Sequence, residues 1–450
     1  MSLRPWTGLA VGAMVIGLTA GMAVQVVDPS PAGSTPGPRS VTSRAGSSAP
    51  SVGLTETVSE QAQDVAFNND GLGLWAQVVV GWGGRVTAVW YRPDADLGFR
   101  AGRLFASVRG AGGVWSNPLA VSPTFSFPDG DRFDVAAGRG KAVSVVWTAP
   151  FEGARRIFEA HRDGPGWSSP FLLSKGTSPR VVMDGLGDTT VLWAHRAPHV
   201  STRTPDGVWS APHAFTGGRG SPQALAGNRA GHQTVLWTQW RRDNSTRMRA
   251  AYRARPTHTW PHAVTVPNRF PDYRQSDLAV DPHGRVLAAW ATNGHHGGNV
   301  RWNRRSLAGR WSPTHTIAGD TGKIGEYGWL DLTVNRRGRG LIRWITDGGD
   351  TYVARYRPGH GVGAPVHLSR DRGPWFLAEG SPLLTADGTA VVAGDLGDRV
   401  AYRWQTRGQA WSPLQRIGAS EAVNAVGARG ARMVVLFQNQ GLHARVIDVP

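Results

Sequence analysis

A short segment that begins with tryptophan recurs seven times along this chain of 450 residues, and no other sequence feature constrains the fold as strongly. Its copies lie 42 to 52 residues apart, a spacing typical of a propeller or another repeat array. A second series lies out of phase with the first, and in it an apolar run ends in an aromatic residue. The first series begins at Trp115, Trp167, Trp209, Trp260, Trp311, Val362 and Trp411, and the second ends at Trp90, Trp147, Trp193, Trp237, Trp290, Trp344 and Phe437.

Around each repeat, short apolar runs alternate with turns rich in Gly, Asn, Asp and Pro, a pattern that predicts β-hairpins. The 59 glycines and 30 prolines interrupt the chain too often for long helices. One repeat is especially clear and predicts strands over residues 179–184, 189–193, 200–204 and 209–215. We therefore predict an all-β fold, a β-propeller of four-stranded antiparallel blades with the strand-ending tryptophans in its core.

The number of blades follows from counting the predicted strands. The first and second strands of a blade can be written eight times, but the outer segment appears only seven times. The last unit ends at the C-terminus after its third strand, and residues 54–63 could supply its missing fourth strand. We expect eight blades and a ring closed by this N-terminal strand, which leaves no exposed sheet edge. Seven blades is the alternative if the last hairpin packs irregularly.

The N-terminus predicts export from the cytoplasm. Arg4 precedes an apolar stretch over residues 8–27, so residues 1–27 are expected to be a signal peptide or an N-terminal membrane anchor. Residues 28–53 are rich in Pro, Ser and Gly and predict a disordered linker, which places the propeller at residues 54–450. We expect an extracytoplasmic protein, either secreted or anchored to the outer face of the cytoplasmic membrane.

The formal net charge of +17 comes mostly from arginine, and the chain has no cysteine. Solvated surface arginines would explain this charge, and so would attraction to an anionic cell-envelope polymer, a glycan or a lipid headgroup. Nucleic acid is not expected as a partner, because the chain has no dense Lys/Arg run and is predicted to be exported. We expect a monomer that contacts the membrane only through its N-terminal segment.

Residues 54–450 resemble the secreted bacterial β-propeller repeat proteins, a broad group that grades into sialidase-like propellers. The sialidase Asp-box has the form Ser-x-Asp-x-Gly-x-x-Trp, and residues 204–209 approach it but are one residue short. The resemblance implies a propeller that recognises or cleaves glycans. It does not assign the arginine triad, tyrosine nucleophile or acidic partner of sialidases, because no local motif fixes these residues here.

The repeat divides the connections between two faces of the disc. The turns between first and second strands and between third and fourth strands are short, and we call their side the short-turn face. The opposite side, the long-loop face, carries the second-to-third and blade-to-blade connections, where binding residues are expected to collect. Its long connections are residues 91–102, 122–132, 239–247, 267–274, 319–328 and 369–380.

Acidic, aromatic and basic residues of the long-loop face form the candidate site. Glycoside hydrolysis needs two carboxylates that flank the scissile bond, while arginines and aromatic rings suit the binding of an anionic sugar. The catalytic candidates are Asp129, Asp131, Glu326, Asp371 and Glu379, beside Asp94 and Asp96, and the ligand-binding candidates are Arg132, Arg241, Arg242, Tyr327, Arg372 and Trp375.

Two functions follow from these candidates. The first is a recognition module that binds a glycan, a cell-envelope polymer or a protein through the long-loop face. The alternative is a sialidase-like exo-glycosidase or a lyase that acts at the propeller mouth. Neither a cofactor nor a metal is predicted, because His295 and His296 have no third ligand at a recognisable spacing.

Overall fold

The computed structural model shows a propeller of eight blades. Every strand that it contains is antiparallel to its neighbours within a blade, apart from the parallel contact of Glu379–Gly380 with Ala422–Arg429. It describes residues 49–60, 76–94, 96, 101–110, 112–126, 133–215, 219–243, 245–254, 259–267, 273–292, 299–317, 329–346, 348–369, 379–380, 382–395, 399–419, 422–438 and 441–450.

In each of the first four blades, the strands follow one another from the axis to the rim. Phe125–Ser126 also pairs with the third strand of blade 1. Blade 1 contains Ala76–Val80, Val86–Pro93, Ala101–Arg109 and Leu119–Ala120; blade 2, Phe133–Ala137, Val143–Phe151, Ala154–Arg162 and Phe171–Lys175; blade 3, Thr177–Met183, Thr189–His195, Ala197–Arg203 and His213–Ala214; blade 4, Gly220–Gly227, Gln233–Trp240, Thr246–Arg253 and Val264–Thr265.

Blades 5 to 7 repeat this order, and Val366–His367 adds a second outer segment to blade 6. Blade 5 contains Tyr273–Val280, Val286–Thr292, Asn299–Arg305 and His315–Thr316; blade 6, Leu330–Val334, Gly340–Ile345, Thr351–Arg357 and Gly361–Val362; blade 7, Leu383–Leu384, Ala390–Asp395, Arg399–Gln405 and Gln415–Ala419; blade 8, Ala422–Arg429, Arg432–Gln438 and Leu442–Asp448.

The N-terminal segment completes blade 8. Ser51–Val52 and Glu56–Ser59 both pair antiparallel with Leu442–Asp448, and Ser51 lies opposite Asp448. The prediction of eight blades closed by the N-terminal strand is confirmed. Because the last blade takes strands from both ends of the chain, neither end leaves an open sheet edge.

The strand-ending tryptophans lie in the core, as predicted. Trp193 and Trp290 have no exposed surface, and Trp237 is 2% exposed. They belong to second strands that are buried on both faces between neighbouring blades, which explains why these strands are almost entirely apolar. The outer segments form much shorter strands than predicted: in blade 3 only His213–Ala214 is paired. Pro212 precedes this pair and cannot donate a backbone hydrogen bond.

Arginines at the ends of third strands connect neighbouring blades. The guanidinium of Arg253, in blade 4, donates to the hydroxyls of Thr190 and Thr202 in blade 3 at 3.1 and 3.0 Å. Arg109, in blade 1, forms a two-pronged ion pair with Glu56 of the closing strand, with both N–O distances 2.6 Å. Part of the positive charge of this chain therefore stabilises the ring.

Candidate functional site

Two of the predicted ligand-binding residues, Arg241 and Arg242, are described, and both are exposed on the second-to-third connection of blade 4. Glu379 is described only as part of a short strand, and its side chain lies outside the described residues. These assignments, and the enzymatic alternative that depends on the carboxylates, stay predictions. Also outside the described residues are Asp129, Asp131, Arg132, Glu326, Tyr327, Asp371, Arg372 and Trp375.

The structure adds Trp240 to this face. Trp240 ends the second strand of blade 4 and is 47% exposed, whereas every other tryptophan in the described residues is buried or half-buried. Its backbone N–H donates to the carbonyl oxygen of Arg219 at 2.9 Å, and Gly220 N–H donates to the carbonyl oxygen of Arg196 at 3.3 Å. These two bonds bring the turn of blade 3 and the start of blade 4 beside the exposed indole.

We call Arg196, Arg219, Trp240, Arg241 and Arg242 the Trp240 patch. Arg241 contacts Asp243 at 3.3 Å, and both side chains are about half exposed. The other three arginines of the patch are exposed, and none of them pairs with a carboxylate among the described residues. The patch therefore presents positive charge that the protein itself leaves largely uncompensated.

The pKa of His195 reports the same local field. It is lowered by partial burial and then by the neighbouring positive groups His199, Arg196 and Lys175. A histidine next to a balanced set of charges would not feel this repulsion. The blade 3 side of the patch is therefore electropositive as well.

Arg196 holds an unfavourable backbone conformation in this patch. Its φ angle is +60°, in the left-handed region, although it is not glycine. Such a conformation costs on the order of 1 kcal/mol and persists where the surrounding structure imposes it. Here Arg196 forms the single-residue link between His195 and Ala197, which lie opposite each other in the hairpin.

Carboxylates also lie near the propeller axis, but they are enclosed. Asp134 accepts from Val181 N–H of the next blade at 2.7 Å, and Asp277 accepts from Leu332 N–H of the next blade at the same distance. Asp134 is 1% exposed and Asp277 is 5% exposed. Because the innermost strand of a blade has no neighbour on its axial side, these side chains satisfy backbone donors that no strand reaches.

Burial changes the acidity of these axial groups. It raises the pKa of Asp134 to about 6, while burial and the neighbouring Asp331 raise the pKa of Asp277 to about 8. Asp331 itself is held by Arg343, whose Nε lies 3.0 Å from the Asp331 carboxylate. Raised pKa values are found in catalytic acids, but these carboxyls are covered and occupied by backbone donors, so we interpret them as links between blades.

Comparisons with known proteins support the architecture. No family model matches this chain, and no curated protein matches it. Among solved structures, the Dos1 propeller is similar to it with a TM-score of 0.55 at 9% identity, over 88% of this chain and 95% of that chain. At this identity the likeness shows the β-propeller fold alone.

Two carbohydrate-processing enzymes are also among the similar structures, with lower TM-scores. An ulvan lyase of polysaccharide lyase family PL25 has a TM-score of 0.47 at 10% identity, over 89% of this chain and 94% of that chain. The α-L-arabinanase of Penicillium chrysogenum has a TM-score of 0.42 at 11% identity, over 89% of this chain and 99% of that chain.

The part of the chain that the structure describes contains no group of three or more His, Cys, Asp or Glu side chains that could hold a metal ion. In the same residues, no helix is long and apolar enough to cross a membrane. Asp94 and Asp96, which sequence analysis placed near the candidate site, form a local turn in which Asp96 N–H donates to the Asp94 carboxylate at 3.1 Å.

Proposed function

We propose that this protein is an extracytoplasmic recognition propeller whose long-loop face binds an anionic glycan or another anionic polymer of the cell envelope. The observation that carries the proposal is the Trp240 patch, in which an exposed indole lies among exposed arginines. Rigid scaffolds that present side chains on connecting loops are well suited to recognition.

The chemistry of the patch supports this class of ligand. An indole face packs against the apolar face of a sugar ring, while guanidinium groups form paired hydrogen bonds with carboxylate or phosphate. Arg196, Arg219 and Arg242 have no carboxylate partner among the described residues, so they can engage a ligand without breaking an existing ion pair. Long-range attraction from such a patch also speeds capture of a polyanion.

The proposed location rests on the N-terminal sequence. Residues 1–27 combine Arg4 with an apolar stretch, and residues 28–53 have the composition of a tether. Mass spectrometry of the N-terminus of the protein recovered from culture medium and from membranes tests this part. Recovery of the intact chain in the cytoplasmic fraction alone would contradict it.

The binding proposal is tested by charge reversal in the patch. The double variant Arg241→Glu and Arg242→Glu should weaken retention on immobilised cell-envelope polymer by roughly tenfold or more, because it places like charges against the ligand. Trp240→Ala should weaken retention independently by removing the stacking surface.

The matched control changes the same charge on the opposite face. Arg337→Glu with Arg407→Glu alters two exposed arginines of the short-turn face and should leave retention unchanged, apart from a small effect of net charge. Equal losses in the two double variants would show that retention depends on total charge, and the assignment to the Trp240 patch would then be wrong.

A further inference from the structure

A cavity of about 390 Å³ opens between blades 5 and 6 on the short-turn face, far from the connections that carry the Trp240 patch. Its walls come from the inner and outer turns of blade 5 and from blade 6, where Val334, Tyr356 and Pro358 contribute. Small-molecule sites have volumes of about 300 to 1,000 Å³, so the cavity has room for one sugar residue.

The cavity carries positive charge that is available to a ligand. Arg285 is engaged with Asp281, with Nε 2.6 Å from the carboxylate. Arg304 and Arg310 also line the cavity, are exposed, and have no carboxylate partner among the described residues. A ligand that enters the cavity therefore meets two unpaired guanidinium groups.

Blade 1 shows which group an arginine and a tryptophan bind at the corresponding turn. Arg109 and Trp115 lie opposite each other in a backbone bridge, and both hold the carboxylate of Glu56. The arginine contributes two bonds of 2.6 Å, and the indole Nε1 of Trp115 donates a third of 2.9 Å. The protein itself thus supplies a carboxylate to this Arg-Trp pair.

Blade 5 repeats the pair without its carboxylate. Arg305 and Trp311 form the same backbone bridge, and both line the cavity. The guanidinium of Arg305 lies over the ring of Tyr252 at 3.7 Å, and the buried Nε1 of Trp311 has no hydrogen-bond partner among the described residues. The cavity therefore combines two exposed cations with an Arg-Trp pair that lacks the acidic partner found in blade 1.

We infer that this cavity is a second ligand site, which takes a single sugar residue carrying a carboxylate, such as a uronic acid. Arg304 and Arg310 are its exposed contacts for the carboxylate, and Tyr356 and Pro358 supply apolar surface for the ring. This inference does not depend on the proposed function, because the two sites lie on opposite faces and share no residue.

Ligand-observed saturation-transfer NMR on the full chain tests the assignment, with D-glucuronate, D-glucose and D-glucose 6-phosphate as probes. D-glucuronate should bind, and D-glucose should bind at least tenfold more weakly because it lacks the carboxylate. The variant Arg304→Ala with Arg310→Ala should weaken D-glucuronate binding by at least tenfold. Arg337→Ala with Arg407→Ala, on the same face outside the cavity, should leave it unchanged.

Three results would overturn the inference. Equal binding of D-glucose would remove the role of the anionic group, and equal binding of D-glucose 6-phosphate would replace the carboxylate by any anion. Unchanged D-glucuronate binding in Arg304→Ala with Arg310→Ala would place the ligand elsewhere. The variant Arg241→Glu with Arg242→Glu separates the two sites, since it should lose envelope polymer and keep D-glucuronate in this cavity.

Discussion

Arginines near the propeller axis and arginines of the Trp240 patch are chemically identical but have opposite roles. Arg343 is 1% exposed, pairs with Asp331 and donates to the carbonyl oxygen of Ala393 in the next blade at 3.4 Å. Arg242 is exposed and has no carboxylate partner among the described residues. The difference teaches that the net charge of +17 does not measure binding capacity, because part of it is used to join blades.

The largest effect separates core from patch through their tryptophans. Trp193→Ala should lower the free energy of unfolding by about 3–5 kcal/mol, because it leaves a cavity between blades. Trp240→Ala should change it by no more than about 0.5 kcal/mol, because the side chain is half exposed. Denaturant unfolding measures both, and similar losses would remove the distinction between the two sets of tryptophans.

The next effect compares the arginines directly. Arg343→Ala should destabilise the fold by about 3–5 kcal/mol, since it leaves the buried Asp331 carboxylate without its main partner. Arg242→Ala should be close to neutral in the same unfolding measurement. A neutral Arg343→Ala variant would mean that the axial ion pair does not support the ring.

The axial carboxyls should also make stability depend on pH. The folded-state pKa of Asp277, about 8, lies above the unfolded value of about 3.9, so the folded state keeps a proton that the unfolded state releases. The free energy of unfolding should therefore be highest below the unfolded value and fall as the pH rises through about 8.

Asp277→Asn should flatten this decline between about pH 6 and 8, because the amide does not ionise, although it removes one acceptor for a backbone donor. Asp243→Asn, at an exposed position with a pKa that Ser245 lowers, is the control and should keep the wild-type slope. Urea unfolding at a series of pH values measures the slopes. Parallel curves for all three proteins would show that Asp277 does not gain a proton on folding.

The smallest expected effect lies in the patch and has opposite signs for stability and binding. Arg196→Gly should raise the free energy of unfolding by up to about 1 kcal/mol, since glycine adopts a φ of +60° without steric cost. The same change should weaken retention on envelope polymer, because it removes an exposed cation. Loss of stability in this variant would mean that the Arg196 side chain supports the turn.

The sequence predicted the ring because its evidence is periodic. Tryptophans such as Trp193 recur at a fixed place in each blade, so one reading applies to all copies and the missing strand reveals the closure. Trp240 does not recur: it follows Trp237 in the same strand, and only the structure shows that one indole is buried and the other exposed. Two consecutive arginines directly after a strand-ending tryptophan were the available signal.

The axial links could not be read in the same way. Asp277 and Leu332 lie 55 positions apart, and their contact depends on how one blade rotates against the next. Arg304 and Arg310 were likewise indistinguishable in sequence from the arginines that join blades. Only burial and the presence or absence of a carboxylate partner separate them.

The most direct test of the central claim uses ¹⁹F NMR of protein labelled with 5-fluorotryptophan, with the Trp240 resonance assigned from a Trp240→Phe variant. Added fragments of anionic envelope polymer should shift the Trp240 resonance and leave those of buried tryptophans such as Trp193 and Trp290 in place. A Trp240 resonance that stays fixed while the polymer binds would contradict recognition through this patch.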